Sequence, residues 1–123
     1  MSVNKVIIVG FLGKDPEVKT IDSGKKVASF TLATSESYTN KQGEKVTDTE
    51  WHNCKAWGAL AGVIEKYLKK GSQVYVEGKI KYRSYEKDGV TKYITEISVD
   101  SLHMLGSKGD SRPEQKSDPL DFP

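Results

Sequence analysis

The residues best suited to chemistry lie together in the stretch 49–58, which reads TEWHNCKAWG. This stretch holds both tryptophans, the only cysteine and one of the two histidines of the chain. Such a cluster could bind a metal, supply a catalytic cysteine, pack in a core or present flat aromatic rings to a partner. Each of these roles makes a different demand on spacing and on neighbouring residues.

The two reactive alternatives lack the residues they need. A metal site requires three or four ligands at workable spacing. His52 and Cys54 would share one strand face, His103 is distant in sequence, and there is no second cysteine. A Cys–His catalytic pair is disfavoured because neighbours on one strand face point in parallel, and no orienting third group is evident. We therefore expect no metal, no cofactor and no enzymatic activity, and we interpret Cys54 as a small buried apolar residue.

The overall composition is that of a globular, water-soluble protein. Of the 123 residues, 36% are hydrophobic and 29% are charged, the mean hydropathy is −0.57 and the formal net charge is +2. No apolar run approaches the roughly 20 residues of a membrane span, and the N-terminus is typical of a strand rather than a signal peptide. A single cysteine fits a reducing compartment. These features predict a water-soluble protein that does not enter a membrane.

The apolar pattern predicts five strands and one helix, in the order three strands, helix, two strands. The strands are expected at residues 5–10, 25–34, 51–57, 73–85 and 91–100. A turn is predicted at 13–17 and a polar loop with a turn near Gly43 at 38–50, and the sequence Lys87-Asp88-Gly89 is typical of a hairpin turn.

The predicted helix covers residues 58–71 and ends at Gly71 as its C-cap. Its apolar side chains recur at helical spacing, at Leu60, Val63, Ile64, Tyr67 and Leu68. A small five-stranded Greek-key barrel with a helix between its third and fourth strands is the oligonucleotide/oligosaccharide-binding (OB) fold. We therefore predict one OB-fold domain over residues 1–105, followed by a polar, Pro- and Gly-rich tail over 106–123 that is expected to be disordered.

Alternation along the strands predicts which side chains share a face. In the third strand, Asn53 and Lys55 fall between the two tryptophans on one face, whereas His52 and Cys54 lie on the opposite face. The first face suits a surface that stacks flat rings and neutralises a phosphate. The second suits packing inward or against another subunit.

The strand at 73–85 shows a parallel pattern. One side carries Lys79, Lys81, Arg83 and Tyr85, and the apolar side comprises Val74, Val76, Gly78, Ile80 and Tyr82. Single-stranded nucleic acid needs such a mixture, because every base has a face that stacks on an aromatic ring and every phosphate attracts a cation. The simpler interpretation of each strand alone is a solvated face with core tryptophans. Two strands with the same pattern in an OB-fold favour nucleic-acid binding.

Four stretches of the sequence resemble the bacterial single-stranded DNA-binding protein family: VNKVIIVGFLGKDPEV (3–18), FTLATSES (30–37), TEWHNCKAWG (49–58) and YLKKGSQVYVEGKI (67–80). The resemblance covers residues 3–105. It implies a homotetramer of OB-folds that binds and protects single-stranded DNA (ssDNA) without sequence preference during replication, recombination and repair, in the bacterial nucleoid.

The resemblance also implies roles for individual residues. The stacking positions of the family fall on Tyr38, Trp51, Trp57 and Tyr85. Its basic DNA-contacting positions correspond to Lys5, Lys41, Lys70 and Arg83, and the face analysis adds Lys55, Lys79 and Lys81. His52 matches the histidine of the family's TEWH motif, which lies at a subunit interface. A satisfied core histidine is the alternative for this residue.

The C-terminal tip departs from the family, whose members usually end in an acidic segment with a final Pro-Phe. Here the chain reads SDPLDFP, with the last two residues in the order Phe-Pro. An acidic, apolar peptide that docks on replication and repair proteins is expected to comprise Asp118, Leu120, Asp121, Phe122 and Pro123. The alternative is an ordinary frayed terminus.

Two other functions stay open at this stage. One is a related nucleic-acid protein, either a dimeric primosomal replication protein or an RNA-binding OB module. The other is a structural protein whose aromatic face meets another protein, although interface cores are usually depleted in charge.

Overall fold

The computed structural model describes residues 1–107, which form six strands and one helix. The strands are β1 (Val6–Leu12), β2 (Glu17–Thr20), β3 (Lys26–Thr39), β4 (Lys45–Trp57), β5 (Ser72–Lys87) and β6 (Val90–Ser107). The helix α1 (Ala59–Tyr67) lies between β4 and β5. All five predicted strands and the predicted helix are present in the predicted order.

Five of the strands close into a barrel. The sheet runs β1-β5-β6-β4-β3, and β3 pairs back onto β1 at Phe11↔Ala33 and Leu12↔Leu32. All neighbouring pairs are antiparallel except β4 and β6, which run parallel at Cys54↔Ile97. The predicted five-stranded OB-fold with a helix between its third and fourth barrel strands is therefore confirmed.

The core consists of the inward-facing side chains of these strands and one side of the helix. Leu32, Val74, Val76 and Cys54 are buried inside the barrel, and Ile64 of α1 packs with them. The interpretation of Cys54 as a small buried residue is confirmed, because its side chain is 1% exposed. The spacing of buried residues in β3, β4 and β5 is two, as expected for strands with one face in the core.

The predicted polar loop at 38–50 is wrong, because most of it is strand, but the turn predicted near Gly43 is present, and the Gly43 N–H donates to the Asn40 carbonyl at 3.0 Å. Strands β3 and β4 pair continuously out to Thr39↔Lys45 and form the β3–β4 arm, residues 35–49. The chain turns where the Asn40 side-chain oxygen accepts hydrogen bonds from the backbone N–H groups of Gln42 and Glu44, at 3.0 and 2.9 Å. The arm is polar because both of its faces meet water. Polarity therefore did not signal a loop here.

A second difference is the short strand β2, which the sequence did not predict. It pairs with the start of β3, from Glu17↔Ser29 to Thr20↔Lys26, and adds to the sheet beside the barrel. Only Val18 of its four residues is even half-buried, so the strand carries almost no apolar signal.

The helix is shorter than predicted. It ends at Tyr67, with Leu68 rather than Gly71 as the C-cap. The next backbone N–H groups find partners outside the helix: Lys70 donates to Asp15 Oδ1 at 2.8 Å, and Gly71 donates to the Leu12 carbonyl at 2.9 Å. The buried side consists of Ala61, Ile64 and Leu68, while Val63 and Tyr67, which belong to the predicted row of apolar side chains, are exposed.

Strands β5 and β6 also extend beyond the barrel, as the β5–β6 arm, residues 81–96. The predicted hairpin turn is confirmed at its end, where Asp88 and Gly89 both have positive φ, 53° and 78°. Tyr82, expected on an apolar side, is 75% exposed because the arm has left the core at that point.

Candidate nucleic-acid interface

Strand pairing gathers seven of the predicted binding residues on one outer face of the sheet. Lys55 of β4 and Lys79 of β5 each pair with Ser98 of β6. Because directly paired residues lie on one face of a sheet, the side chains of Lys55 and Lys79 share a face. Alternation then adds the remaining members. The basic-aromatic face comprises Trp51, Lys55, Trp57, Lys79, Lys81, Arg83 and Tyr85.

The two tryptophans project from this face and keep much of their surface in solvent. Trp51 is 60% exposed and Trp57 is 41% exposed. The Trp51 indole rests against Gly13, where a Cβ atom would come within 2.4 Å of its Cζ3 atom. Gly13 is in turn held by donating its backbone N–H to the Thr31 carbonyl at 3.1 Å. The Cζ3–Cη2 edge of the Trp51 ring thus lies against Gly13, while most of the residue is open to a partner.

The cations of the face are of two kinds. Lys79 and Lys81 are exposed, and no acidic oxygen in residues 1–107 lies within 4.0 Å of either ammonium. Arg83 and Lys55, in contrast, both contact Glu96 of β6. Lys79 and Lys81 are therefore available to bind a phosphate, whereas Arg83 and Lys55 already contact the Glu96 carboxylate before any DNA binds.

Glu96 is a buried carboxylate beneath this face, and the sequence analysis did not predict it. Its two oxygens accept hydrogen bonds from Arg83 Nε at 2.8 Å and Nη2 at 3.0 Å, and Lys55 Nζ lies 3.5 Å from Oε2. The Arg83 hydrogen bonds, and then the charge of Lys55, lower the pKa of Glu96 against the opposing effect of burial. The signal was present, since counting outward from the Asp88-Gly89 turn places Lys81 opposite Glu96.

A cleft of about 470 Å³ lies beside these groups. Asn53, Lys55, Arg83 and Glu96 line one part of it, and Lys14 from the segment after β1 lines another. Phe30 and Ile94 also line the cleft, so the basic-aromatic face borders a recess with both charged and apolar walls.

Four other predicted binding residues lie off the basic-aromatic face. Tyr38 is half-exposed on the β3–β4 arm, but its partner in the register is Val46, which places it on the opposite face from Trp51. Lys41 is at the turn of that arm, Lys70 follows α1, and Lys5 precedes β1 with its Nζ 3.8 Å from Glu77 Oε1. Their roles in DNA binding stay predictions.

His52 lies on the inner side of β4, opposite the tryptophans as predicted. Its side chain is half-buried, and its Nε2 is 2.9 Å from Thr34 Oγ1. It lines a recess at the end of the barrel together with Val6 and Ile8 of β1. The expected contact with another subunit stays a prediction, as do the five residues of the C-terminal tip, which lie outside the described residues.

The described part of the chain offers little for other chemistry. Within residues 1–107 no group of three or more His, Cys, Asp or Glu side chains is close enough to hold a metal ion. Burial raises the pKa of the Cys54 thiol to about 12, so it is not a ready nucleophile. The helix found in this region is too short to cross a membrane.

An OB barrel with aromatic rings and cations interleaved on one outer face defines a protein of the oligonucleotide-binding class. Comparison with known proteins makes the assignment specific. Residues 3–105 match the single-strand binding protein family, and the chain belongs to that family.

Relatives and solved structures agree with this assignment. The chain is 50% identical to the single-stranded DNA-binding protein of Bacteroides thetaiotaomicron over 112 residues, which is 89% of this chain and 70% of that protein. It is 48% identical to single-stranded DNA-binding protein 1 of Chlorobaculum tepidum, over 86% of this chain and 67% of the relative. The fold matches a Plasmodium falciparum SSB complex with ssDNA at a TM-score of 0.77 and 34% identity, covering 85% of this chain and 96% of that one.

Proposed function

We propose that this protein binds single-stranded DNA without sequence preference and protects it during replication, recombination and repair. The observation that carries the proposal is the basic-aromatic face, where Trp51, Trp57 and Tyr85 stand among cations on β4 and β5, the two strands that flank β6. Stacking on an aromatic ring is worth about 1–3 kcal/mol per base and tolerates any base. The family membership and the ssDNA complex of the Plasmodium falciparum relative support the same ligand.

Duplex DNA should bind far more weakly than single strands. Its bases are already stacked on one another, so their faces are not available to the rings of Trp51 and Trp57. The mechanism is therefore passive: the protein occupies bases and phosphates and so excludes reannealing and nucleases. We propose no catalytic step, and the cytoplasmic nucleoid is where such a protein would act.

Tryptophan fluorescence during titration with oligo(dT) tests this proposal. We expect strong quenching that survives excess duplex competitor, with log K falling by about 0.7 per log unit of salt for each phosphate neutralised. An oligo(U) competitor that binds as tightly as oligo(dT) would favour an RNA-binding module instead. Absence of both quenching and binding would mean that the face meets another protein.

We further propose that the chain assembles as a homotetramer, with β1 in a subunit interface. The outer side of β1 carries Ile7, Val9 and Phe11, each about half exposed, as one apolar row. Strand β1 pairs with β3 only at its last two residues, so the backbone edge of residues 6–10 has no other strand beside it within residues 1–107. An apolar face next to an open strand edge favours pairing with another chain.

The surroundings of this row supply polar groups that would set the geometry of such a contact. On the neighbouring β5, the Tyr75 hydroxyl donates to Glu77 Oε2 at 2.7 Å, and Lys5 lies on the other oxygen. These contacts lower the pKa of Glu77, first through Tyr75 and then through Lys5. His52 lines a recess with Val6 and Ile8, which lie on the other side of β1 from the apolar row, so its proposed place at an interface rests on the family resemblance.

A pair of valine variants tests the interface. Val9→Lys should reduce the mass in solution from about four chains of 13.7 kDa to a smaller species, because it places a charge in the apolar row. Val63→Lys is the matched control, since Val63 is similarly exposed but lies on α1. Sedimentation equilibrium measures both. A wild-type monomer, or equal dissociation by both variants, would contradict the proposal.

We also propose that the C-terminal tip recruits replication and repair enzymes. The tip combines two acids with Leu120 and Phe122, a composition suited to a basic pocket with an apolar floor. Removing residues 117–123 should abolish capture of such an enzyme by ssDNA-bound protein while oligo(dT) affinity stays within about twofold. Capture that survives the truncation would assign recruitment to another surface.

A further inference from the structure

Glu96 is unusual for its location, because it is an acid on a surface suited to binding a polyanion. Its side chain is 9% exposed, and it stands on β6 between Lys55 of β4 and Arg83 of β5. Three neighbouring strands therefore bring one carboxylate and two cations together within the basic-aromatic face.

The contacts with Arg83 fix the orientation of the guanidinium group. Two parallel hydrogen bonds, from Nε at 2.8 Å and Nη2 at 3.0 Å, hold both carboxylate oxygens in a fork. This arrangement is geometrically specific and stronger than a neutral hydrogen bond. Arg83 Cζ lies 6.0 Å from the centroid of the Tyr85 ring. The two hydrogen bonds to Glu96 therefore also fix the position of the guanidinium group relative to this predicted stacking residue.

The same contacts change the charge that DNA would meet. Glu96 is ionised at neutral pH, because Arg83 and Lys55 lower its pKa. Arg83, Lys55 and Glu96 together carry a net charge of +1 rather than +2. Counting cations along the face therefore overstates the number of phosphates that it neutralises, although Lys79 and Lys81 form no ion pair within residues 1–107.

We propose that Glu96 is a positioning residue of the ssDNA surface, which fixes Arg83 beside Tyr85 and makes Arg83 and Lys55 act as one cation toward the DNA backbone. This inference rests on the proposed function. It assigns Glu96 a role in setting both the affinity of the surface and its response to salt. A purely structural Glu96, holding the β5–β6 arm to the barrel, would not alter the salt response.

The charge part of the proposal is tested with Glu96→Gln. Removing the negative charge exposes one more net cation, so the slope of log K against log salt should steepen by about 0.7. Between 50 and 200 mM NaCl the variant should lose about 2.6-fold more affinity for oligo(dT) than wild type does. Glu86→Gln is the matched control, because Glu86 lies on the same arm but on its other face, and no cation in the described part of the chain contacts it.

The positioning part is tested with Glu96→Asp, which keeps the charge but is too short to hold the same fork. We expect the wild-type salt slope together with an affinity reduced by the same factor at both salt concentrations. This variant also keeps the proposal testable if Glu96→Gln does not fold, which thermal melting establishes for each protein.

The outcomes separate this inference from the proposed function. Wild-type protein that does not bind oligo(dT) would refute the function itself. Wild-type binding with an unchanged slope in Glu96→Gln, or with an equal change in Glu86→Gln, would overturn the charge part. Unaltered affinity in a folded Glu96→Asp protein would overturn the positioning part.

Discussion

Truncation of the two tryptophans should weaken ssDNA binding unequally, with Trp51→Ala costing more than Trp57→Ala. An indole offers roughly 250 Å² of surface, so exposures of 60% and 41% leave about 150 and 100 Å² available on Trp51 and Trp57. A stacked base can cover about half of each, because it lies on one ring face and leaves the ring edges in solvent. The areas lost on truncation are then about 75 and 50 Å².

These areas translate into measurable differences in affinity. At about 25 cal/mol per Å² they correspond to about 1.9 kcal/mol for Trp51 and about 1.3 kcal/mol for Trp57. Both values lie within the range of about 1–3 kcal/mol for stacking a base on an aromatic side chain. Dissociation constants should therefore rise about 25-fold for Trp51→Ala and about 9-fold for Trp57→Ala.

Fluorescence anisotropy of a labelled oligo(dT) at one fixed salt concentration measures these constants, since the variants lose part of the intrinsic signal. Tyr67→Ala is the control, because Tyr67 is an equally exposed aromatic residue on α1, off the basic-aromatic face. Its affinity should stay within about twofold of wild type. The reverse order of the two tryptophans, or no loss of affinity in folded variants, would refute the reasoning from exposed ring area.

Three further predictions follow from single contacts. Gly13→Ala should weaken oligo(dT) binding and shift the tryptophan emission, because its Cβ would displace the Trp51 ring from its seat; a wild-type affinity and spectrum would show that the ring is not held there. The Cys54 thiol, with its pKa raised to about 12 by burial, should react with a maleimide on the order of 100-fold faster in denaturant than in native protein, whereas equal rates would contradict its enclosure. The pKa of Glu96 is lowered in the folded state, so its ion pairs stabilise the protein at pH values above the pKa of an ordinary glutamate, about 4.3. That stabilisation is lost as the pH falls below this value and Glu96 becomes protonated. Wild type should accordingly lose more free energy of unfolding between about pH 6 and pH 3 than Glu96→Gln does in urea titrations, and parallel losses would contradict the sign of the shift.

The sequence predicted the elements whose two sides differ. Strand β4 was recognisable near Trp51 because apolar and polar residues alternate there, and the turn at Asp88-Gly89 was recognisable because Asp-Gly is a sequence that tolerates the positive φ both residues adopt. The same alternation correctly separated the tryptophans from His52 and Cys54. These predictions depend on the alternation of apolar and polar side chains and on the backbone preferences of individual residues, and a single sequence contains both.

The features that the sequence did not predict arise from exposure of both faces of a strand to solvent or from pairing with another strand. The β3–β4 arm is exposed on both faces, so its residues are polar throughout and gave the appearance of a loop. Strand β2 is stabilised by pairing with β3 rather than by its own burial. Glu96 acquires its importance only when β6 is registered against β5 and β4, since neither Arg83 nor Lys55 is near it in sequence.

Tyr38 shows why the position of a residue on a strand matters as much as its type. Its ring is exposed, as a stacking residue requires, but the pairs Tyr38↔Val46 and Ala33↔Trp51 place the two aromatics on opposite faces of β3 and β4. A single strand of DNA that contacts Trp51, Lys79 and Tyr85 can follow one surface. A strand that also contacts Tyr38 has to pass around the β3–β4 arm, because the paired backbone of the arm lies between the two rings. If Tyr38 stacks a base as predicted, DNA that also contacts Trp51 has to wrap around the arm rather than lie straight along one face.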